Sequence, residues 1–219
     1  MHNQKICIVG GGLTGLITAI ALSKLGVHVD LIYKDKKNTK SSRFLAISEN
    51  NYKYLKNLKI FKFSEADFWP CQNMNLYTNS KINFNKIFEI NREKKNKNVF
   101  YMINNYKLIN KILLSIKKNH SIKLVNKKVL NIINSGVLKS IKFDDGISSK
   151  YNLVIICTGG NSEILKYFPD KKSLFRSYQE TSVTLVLKHA KLNNNTARQF
   201  FLNNEILALL PISNTETSI

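Results

Sequence analysis

The chain has 219 residues, 43% of them hydrophobic, and a formal net charge of +20 from 34 Lys and Arg against 14 Asp and Glu. That suffices for one large domain or two small ones with a real core. No apolar run reaches the roughly 18–20 residues that span a bilayer, and three widely spaced cysteines without a CxxC pair point to a reducing compartment and away from a zinc site.

The charge invites a nucleic-acid reading that the residue types oppose. Only Arg43, Arg92, Arg176 and Arg198 are arginines, and the lysines are scattered apart from short runs such as Lys94-Lys95. A nucleic-acid site is expected to gather Arg with interleaved aromatics. A generic solvated basic surface fits better, one that can also meet anionic lipid headgroups. The expectation is therefore no specific nucleic-acid partner, and a cytoplasmic protein with peripheral contact at the inner membrane surface as an extension.

Lys5–Gly10 reads as an apolar strand running directly into Gly10-x-Gly12-x-x-Gly15, and Thr14–Leu25 as an apolar helix that Gly26 ends. Val27–Tyr33 is a second strand. The order strand, glycine loop, helix, strand gives the glycine spacing its meaning as a dinucleotide fingerprint. Gly10 allows the tight turn, Gly12 lets backbone approach a pyrophosphate, and Gly15 lets helix and strand pack closely. Free N–H groups and the positive end of the helix dipole then face the phosphates. FAD or NAD(P) is the implied ligand class.

Lys34–Ser42 is a polar basic loop and Ser48–Leu58 a short helix. Residues 74–90 alternate, as antiparallel strands with one wet face do. Arg92–Asn98 is a charged turn, Val99–Ile103 a strand, and Asn105–Lys118 a helix with Leu108, Ile112 and Ile116 at helical spacing. Strands follow at 122–125, 128–133 and 137–143, the last two joined through Asn134-Ser135-Gly136, with a turn at Asp144-Asp145-Gly146. Leu153–Cys157 is a β-branched run expected to be a buried central strand of the first sheet, closed by Thr158-Gly159-Gly160. Residues 178–188 and 206–212 read as strands of a second layer.

After Gly26 the glycines are only Gly136, Gly146, Gly159 and Gly160, so there is one nucleotide fingerprint and no second. His2, His28, His120 and His189 have no metal spacing, and no metal is expected. Asp144-Asp145 is a turn, not an acid/base dyad. Phe68, Trp69 and Pro70 are candidates for a pocket wall or for core packing. No catalytic residue is assigned.

Several further segments, in this order, carry a resemblance: Arg43-x-x-Ala46-Ile47-Ser48; Asn105, Leu108 and Leu113; Leu153 through Ser162; Tyr178-Gln179; Gln199-Phe200; and Ala208-Leu209-Leu210-Pro211. Together with the fingerprint they make the chain resemble the ubiquinone-biosynthesis aromatic-ring hydroxylases, FAD-dependent monooxygenases related to 4-hydroxybenzoate hydroxylase. The resemblance implies an α/β fold: a Rossmann-like FAD-binding domain with ββα opening variants and an inserted or appended, mainly antiparallel β substrate domain. It divides the chain into 1–70 with 99–170 for FAD and 71–98 with 171–219 for substrate, and it implies truncation at the C-terminus. It further implies tight FAD, NAD(P)H as transient reductant, O2 and an aromatic quinone precursor as substrates, and a complex with other quinone-biosynthesis enzymes. Alternatives are another single-fingerprint flavoprotein oxidoreductase, or a non-catalytic FAD-binding fragment or assembly subunit.

By the same resemblance the cofactor-binding positions are Gly10, Gly11, Gly12, Leu13, Thr14, Gly15, Tyr33, Asp35, Arg43, Asn105, Val129, Thr158 and Gly159. Arg43 fits a fork-shaped phosphate contact that Lys cannot reproduce. Asn105 fits either a cofactor contact at a helix start or an ordinary N-cap. Val129 fits a backbone contact to adenine or simple core packing. Two positions depart from the pattern. Tyr33 stands where a ribose-binding acid is usual, with Asp35 as a nearby substitute, and Thr158 stands where the family has the acid of an Asp-Gly pair.

Overall fold

The computed structural model describes residues 4–33, 43–60, 62–79, 83–91, 98–159, 163–164 and 176–219. In chain order the elements begin with β1 (Lys5–Val9), α1 (Leu13–Ser23), β2 (His28–Ile32), β3 (Phe44–Ser48) and α2 (Glu49–Asn57). A single 3-10 turn at Glu65–Asp67 precedes β4 (Trp69–Cys71), β5 (Asn73–Asn79), β6 (Phe84–Asn91), β7 (Phe100–Asn104) and α3 (Asn105–Lys117). Then come β8 (Ile122–Val125), β9 (Val129–Ser135), β10 (Leu138–Phe143), β11 (Ser148–Tyr151) and β12 (Leu153–Ile156). The last strands are β13 (Val186–Lys188), β14 (Thr196–Phe201), β15 (Ile206–Pro211) and β16 (Glu216–Ser218).

Two compact units divide these elements, one of residues 1–38 and 109–178, the other of 39–108 and 179–219. In the first, β12, β1, β2 and β8 form a four-stranded parallel sheet in that order. Parallel strands need a crossover, and α1 supplies the one between β1 and β2. Its apolar residues bury Leu16, Ala19 and Ile20. Gly26, at φ +75°, turns the chain out of it. An antiparallel meander, β9 to β10 to β11, adds Val129, Ile141, Phe143 and Tyr151 to a core that also holds Cys7, Val9 and Ile32. Leu108, Ile112 and Ile116 form the buried stripe of α3, as their spacing requires.

The second unit contains a six-stranded sheet in the order β13-β16-β15-β14-β5-β6, antiparallel except for the parallel pair β14–β5. It also contains a three-stranded antiparallel sheet, β3-β7-β4. Cys71, Phe100, Met102 and Ala197 make its core, with Trp69 and Met74 against them. The Trp69 indole N–H donates to the Asn194 carbonyl at 2.7 Å, and the Asn194 amide in turn donates to the Ser213 and Glu216 carbonyls at 2.8 and 3.1 Å.

Two expectations change. Among the described residues the run Leu153–Cys157 is not central: β12 pairs there with β1 alone and lies at the end of the order, with Leu153 exposed and Val154–Ile156 half-buried. An apolar β-branched run marks a parallel strand without saying whether both its edges are paired. Of 178–188 only Val186–Lys188 is strand, paired with β16, and Leu185 extends the pairing by exchanging backbone hydrogen bonds with Ile219 at 2.9 Å; Tyr178 and Val183 stay exposed. β propensity without a ladder does not make a strand. The basic loop at 34–42 and the turn at 92–98 fall outside the described residues, except for Asn98.

Burial fixes the chemistry of the cysteines. Cys7 and Cys71 are fully buried, and burial pushes each thiol up to about 12, aided at Cys7 by the nearby Asp30 carboxylate. At neutral pH this leaves each with about a thousandth of the thiolate that an exposed cysteine carries. A thiol reagent at neutral pH should therefore leave both unlabelled in the folded protein and label them on denaturation, read by intact-mass spectrometry. Rapid native labelling of Cys7 would contradict its place inside the parallel sheet.

Candidate functional site

The glycine loop follows directly from the sheet. β1 ends at Val9, and Gly10 turns the chain at φ +122° while its N–H donates to the Ile32 carbonyl of β2 at 3.1 Å. A Cβ on Gly10 would lie 2.4 Å from the Cys157 carbonyl oxygen, and one on Gly15 would lie 2.0 Å from the Gly10 carbonyl oxygen. Strand, helix and the end of β12 are thus in backbone contact, which only glycine permits. Gly12 differs: a Cβ there would meet nothing within 4 Å. It caps α1 in an extended conformation with no side-chain cap, and the first turn carries no acid. The N–H groups of that turn have no carbonyl of the helix to reach, and the positive end of the helix dipole is uncompensated by the protein. Gly12 and Thr14 are exposed.

Two departures from the usual pattern surround this loop. Tyr33 follows β2, held by its N–H to the Val125 carbonyl at 3.0 Å, and its ring lies over Gly11: a Cβ on Gly11 would be 2.0 Å from Tyr33 Cδ2. Thr158 follows β12, whose end is tied to β1 through the Cys157 N–H and the Val9 carbonyl at 2.7 Å. The Thr158 hydroxyl is buried with no hydrogen-bond partner. A buried hydroxyl is seldom left unpaired in a folded protein. Gly159 turns away at φ +80°.

The remaining sequence-derived positions separate. Arg43 and Asn105 come together, since the Asn105 N–H donates to the Arg43 carbonyl at 3.0 Å where the β3–β7 ladder ends. Arg43 is exposed and both belong to the second compact unit. Asn105 is not the N-cap of α3. The preceding Asn104 caps, its side-chain oxygen accepting from the Lys107 N–H at 3.0 Å, so Asn105 is the first helical residue. The Val129 side chain is 6% exposed inside the core, which leaves only its backbone for any ligand. Asp35 lies outside the described residues. Leu13 opens α1 half-buried. Of the three aromatic-segment candidates, Phe68 and Pro70 line a groove while Trp69 packs into the core.

Sequence reasoning missed one polar centre in the first unit. Asp30, on β2 and 6% exposed, accepts from the Tyr151 hydroxyl at 2.8 Å and pairs with Lys5 at 2.9 Å. An acid in the middle of the apolar run Val27–Ile32 was the available signal. Among the described residues no group of His, Cys, Asp and Glu is arranged to hold a metal, and no helix is long and apolar enough to cross a membrane.

Known structures share this fold. The chain resembles PqsL from P. aeruginosa bound to 2-aminobenzoylacetate, with TM-score 0.81 at 11% identity over 98% of this chain and 59% of that one. It resembles p-nitrophenol 4-monooxygenase PnpA from Pseudomonas putida, with TM-score 0.75 at 15% identity over 98% and 57%. It resembles 2-methyl-3-hydroxypyridine-5-carboxylic acid oxygenase, with TM-score 0.76 at 14% identity over 100% and 58%. The chain therefore spans less than two thirds of the length of these structures. No curated protein matches it. The fold is the mixed α/β fold of FAD-dependent monooxygenases. The chain belongs to the family described as glucose inhibited division protein A, whose profile matches residues 5–201.

Proposed function

We propose that the protein of which this chain forms part is an FAD-dependent monooxygenase that hydroxylates an aromatic ring, using NAD(P)H and O2, and that its substrate is a ubiquinone precursor. The carrying observation is the uncapped N-terminus of α1 beside a glycine whose missing side chain leaves open space. An adenine dinucleotide's pyrophosphate meets both needs, charge and close approach. The fold and the resemblance in the order of motifs narrow that ligand to FAD.

A bound flavin would supply the redox chemistry of ring hydroxylation, with the nicotinamide as electron source and O2 as oxygen source. The chain's own residues hold it. The first-turn N–H groups of Leu13, Thr14 and Gly15 donate to the pyrophosphate. The buried Thr158 hydroxyl gains a partner in the cofactor, supplying a hydrogen bond without the charge of the family's carboxylate. Tyr33 offers one hydroxyl and a ring face to the ribose side, in place of an acid that would clamp both hydroxyls. A polyprenylated substrate and the basic surface together favour work at an anionic membrane face.

FAD titrated into the chain should be retained through gel filtration as a visible flavin spectrum. Gly12→Val should keep the fold, since its side chain enters open space, and weaken FAD binding by tenfold or more, about 1.4 kcal/mol. A folded parent that takes up no flavin would reject the cofactor. Flavin uptake without NAD(P)H oxidation in the presence of any prenylated phenol would reject the substrate class alone.

A further inference from the structure

The second compact unit holds an open groove of about 630 Å³ against α2. Its wall is aromatic: Tyr52 and Tyr101 stack at 4.0 Å and 22°, and Phe68 meets Tyr52 edge-on at 4.9 Å. Glu49, the first residue of α2 behind its Ser48 cap, lines the same groove and is 5% exposed. One carboxylate oxygen, Oε1, lies 3.2 Å from the Lys53 ammonium, and the other, Oε2, is buried without a hydrogen-bond partner.

Burial opposes ionisation here, yet the Lys53 ammonium, the Tyr101 hydroxyl and the Asn98 N–H hold the Glu49 carboxyl below the ordinary glutamate value. The group is a carboxylate with an unfilled acceptor. The other charges of the groove are committed. Lys53 sits on Glu49, and Lys56 is bound to Glu65 at 2.6 Å while lying 5.5 Å over the Tyr52 ring. Two cations and two anions cancel, and what remains is one buried oxygen that requires a donor. An unsatisfied charged acceptor is among the costlier features a fold retains.

We propose that this groove binds a flat organic cation, an amidinium or protonated amine on an aromatic body, with an N–H donating to Glu49 Oε2 and the ring against the Tyr101–Phe68 wall. The aromatic faces favour a cation, and the carboxylate gives it direction. The chain's net charge of +20 opposes cations at long range, but at about 0.15 M salt that field is screened beyond roughly 8 Å.

The test titrates benzamidinium into the chain by calorimetry at physiological salt, with benzoate and methylguanidinium as comparisons. Benzamidinium should bind, benzoate should not, and methylguanidinium, lacking the ring, should bind about tenfold more weakly. Glu49→Gln should weaken benzamidinium about tenfold or more. Lys53→Met removes the competing internal cation and should tighten it severalfold. No binding of benzamidinium, equal binding of benzoate, or indifference to Glu49→Gln would overturn the proposal. Should Glu49→Gln fail to fold, Lys53→Met decides: unchanged or weaker affinity overturns it.

Discussion

Gly10→Ala should unfold the protein far more readily than any other single methyl added to the glycine loop except at Gly15. Two independent terms add. Gly10 sits at φ +122°, where an L side chain is strained by about 1–3 kcal/mol. Its Cβ would then lie 2.4 Å from the carbonyl oxygen and 2.6 Å from the carbonyl carbon of Cys157. Neither is the end of a flexible side chain. Both belong to the backbone just beyond β12, which is tied to β1 by the 2.7 Å bond between Cys157 and Val9. Relief requires β1 and β12 to separate by several tenths of an ångström at their joined ends. A combined loss of about 3–5 kcal/mol is expected, a large share of a typical 5–15 kcal/mol total. Gly12→Ala, with open space and an ordinary φ, should change stability by less than about 1 kcal/mol. Urea unfolding followed by far-UV circular dichroism separates the two. Equal midpoints for Gly10→Ala and Gly12→Ala would show that the loop does not contact β12 as described.

That contrast shows what a linear reading reaches. The turn at Gly10, the close packing at Gly15 and the opening at Gly12 are local consequences of a strand running into a helix, so a short stretch of residues and its periodicity reveal them. The α2 helix with its Ser48 cap and the β5–β6 hairpin are local in the same sense. Contacts made at long sequence separation were not legible. The parallel pairing of β14 with β5 joins residues more than a hundred positions apart. Nothing in the run Leu153–Cys157 says that, among the described residues, β1 is its one partner. Asn104 rather than Asn105 caps α3 because the β7 ladder runs one residue further than the apolar pattern suggests. Glu49 reads as an ordinary first-turn acid, and only its 5% exposure makes its free oxygen significant.

Asp30→Ala should be the most damaging substitution in the first unit outside the glycine loop. Asp30 lies on β2 directly across the ladder from Cys7, with the Tyr151 hydroxyl at 2.8 Å and the Lys5 ammonium at 2.9 Å. Lys5 is half-exposed and can recover water, so its loss contributes little. Tyr151 is 1% exposed, and its hydroxyl would be stranded. Stranding a buried hydroxyl in this way costs about 2–3 kcal/mol. Tyr151→Phe, which leaves Asp30 its lysine, should cost about 1–2 kcal/mol. The double variant Asp30→Ala with Tyr151→Phe should cost less than the sum by about 1–2 kcal/mol, because no hydroxyl is then left stranded. A second readout separates this account from loss of packing. Asp30 helps hold the Cys7 thiol high, after burial itself. Native Asp30→Ala should therefore show a lower Cys7 thiol pKa in a pH-dependent labelling series, whereas Tyr151→Phe should leave the Asp30 contribution in place. Strict additivity of the two substitutions in urea unfolding, together with an unchanged Cys7 titration, would mean that the three groups do not act as one centre.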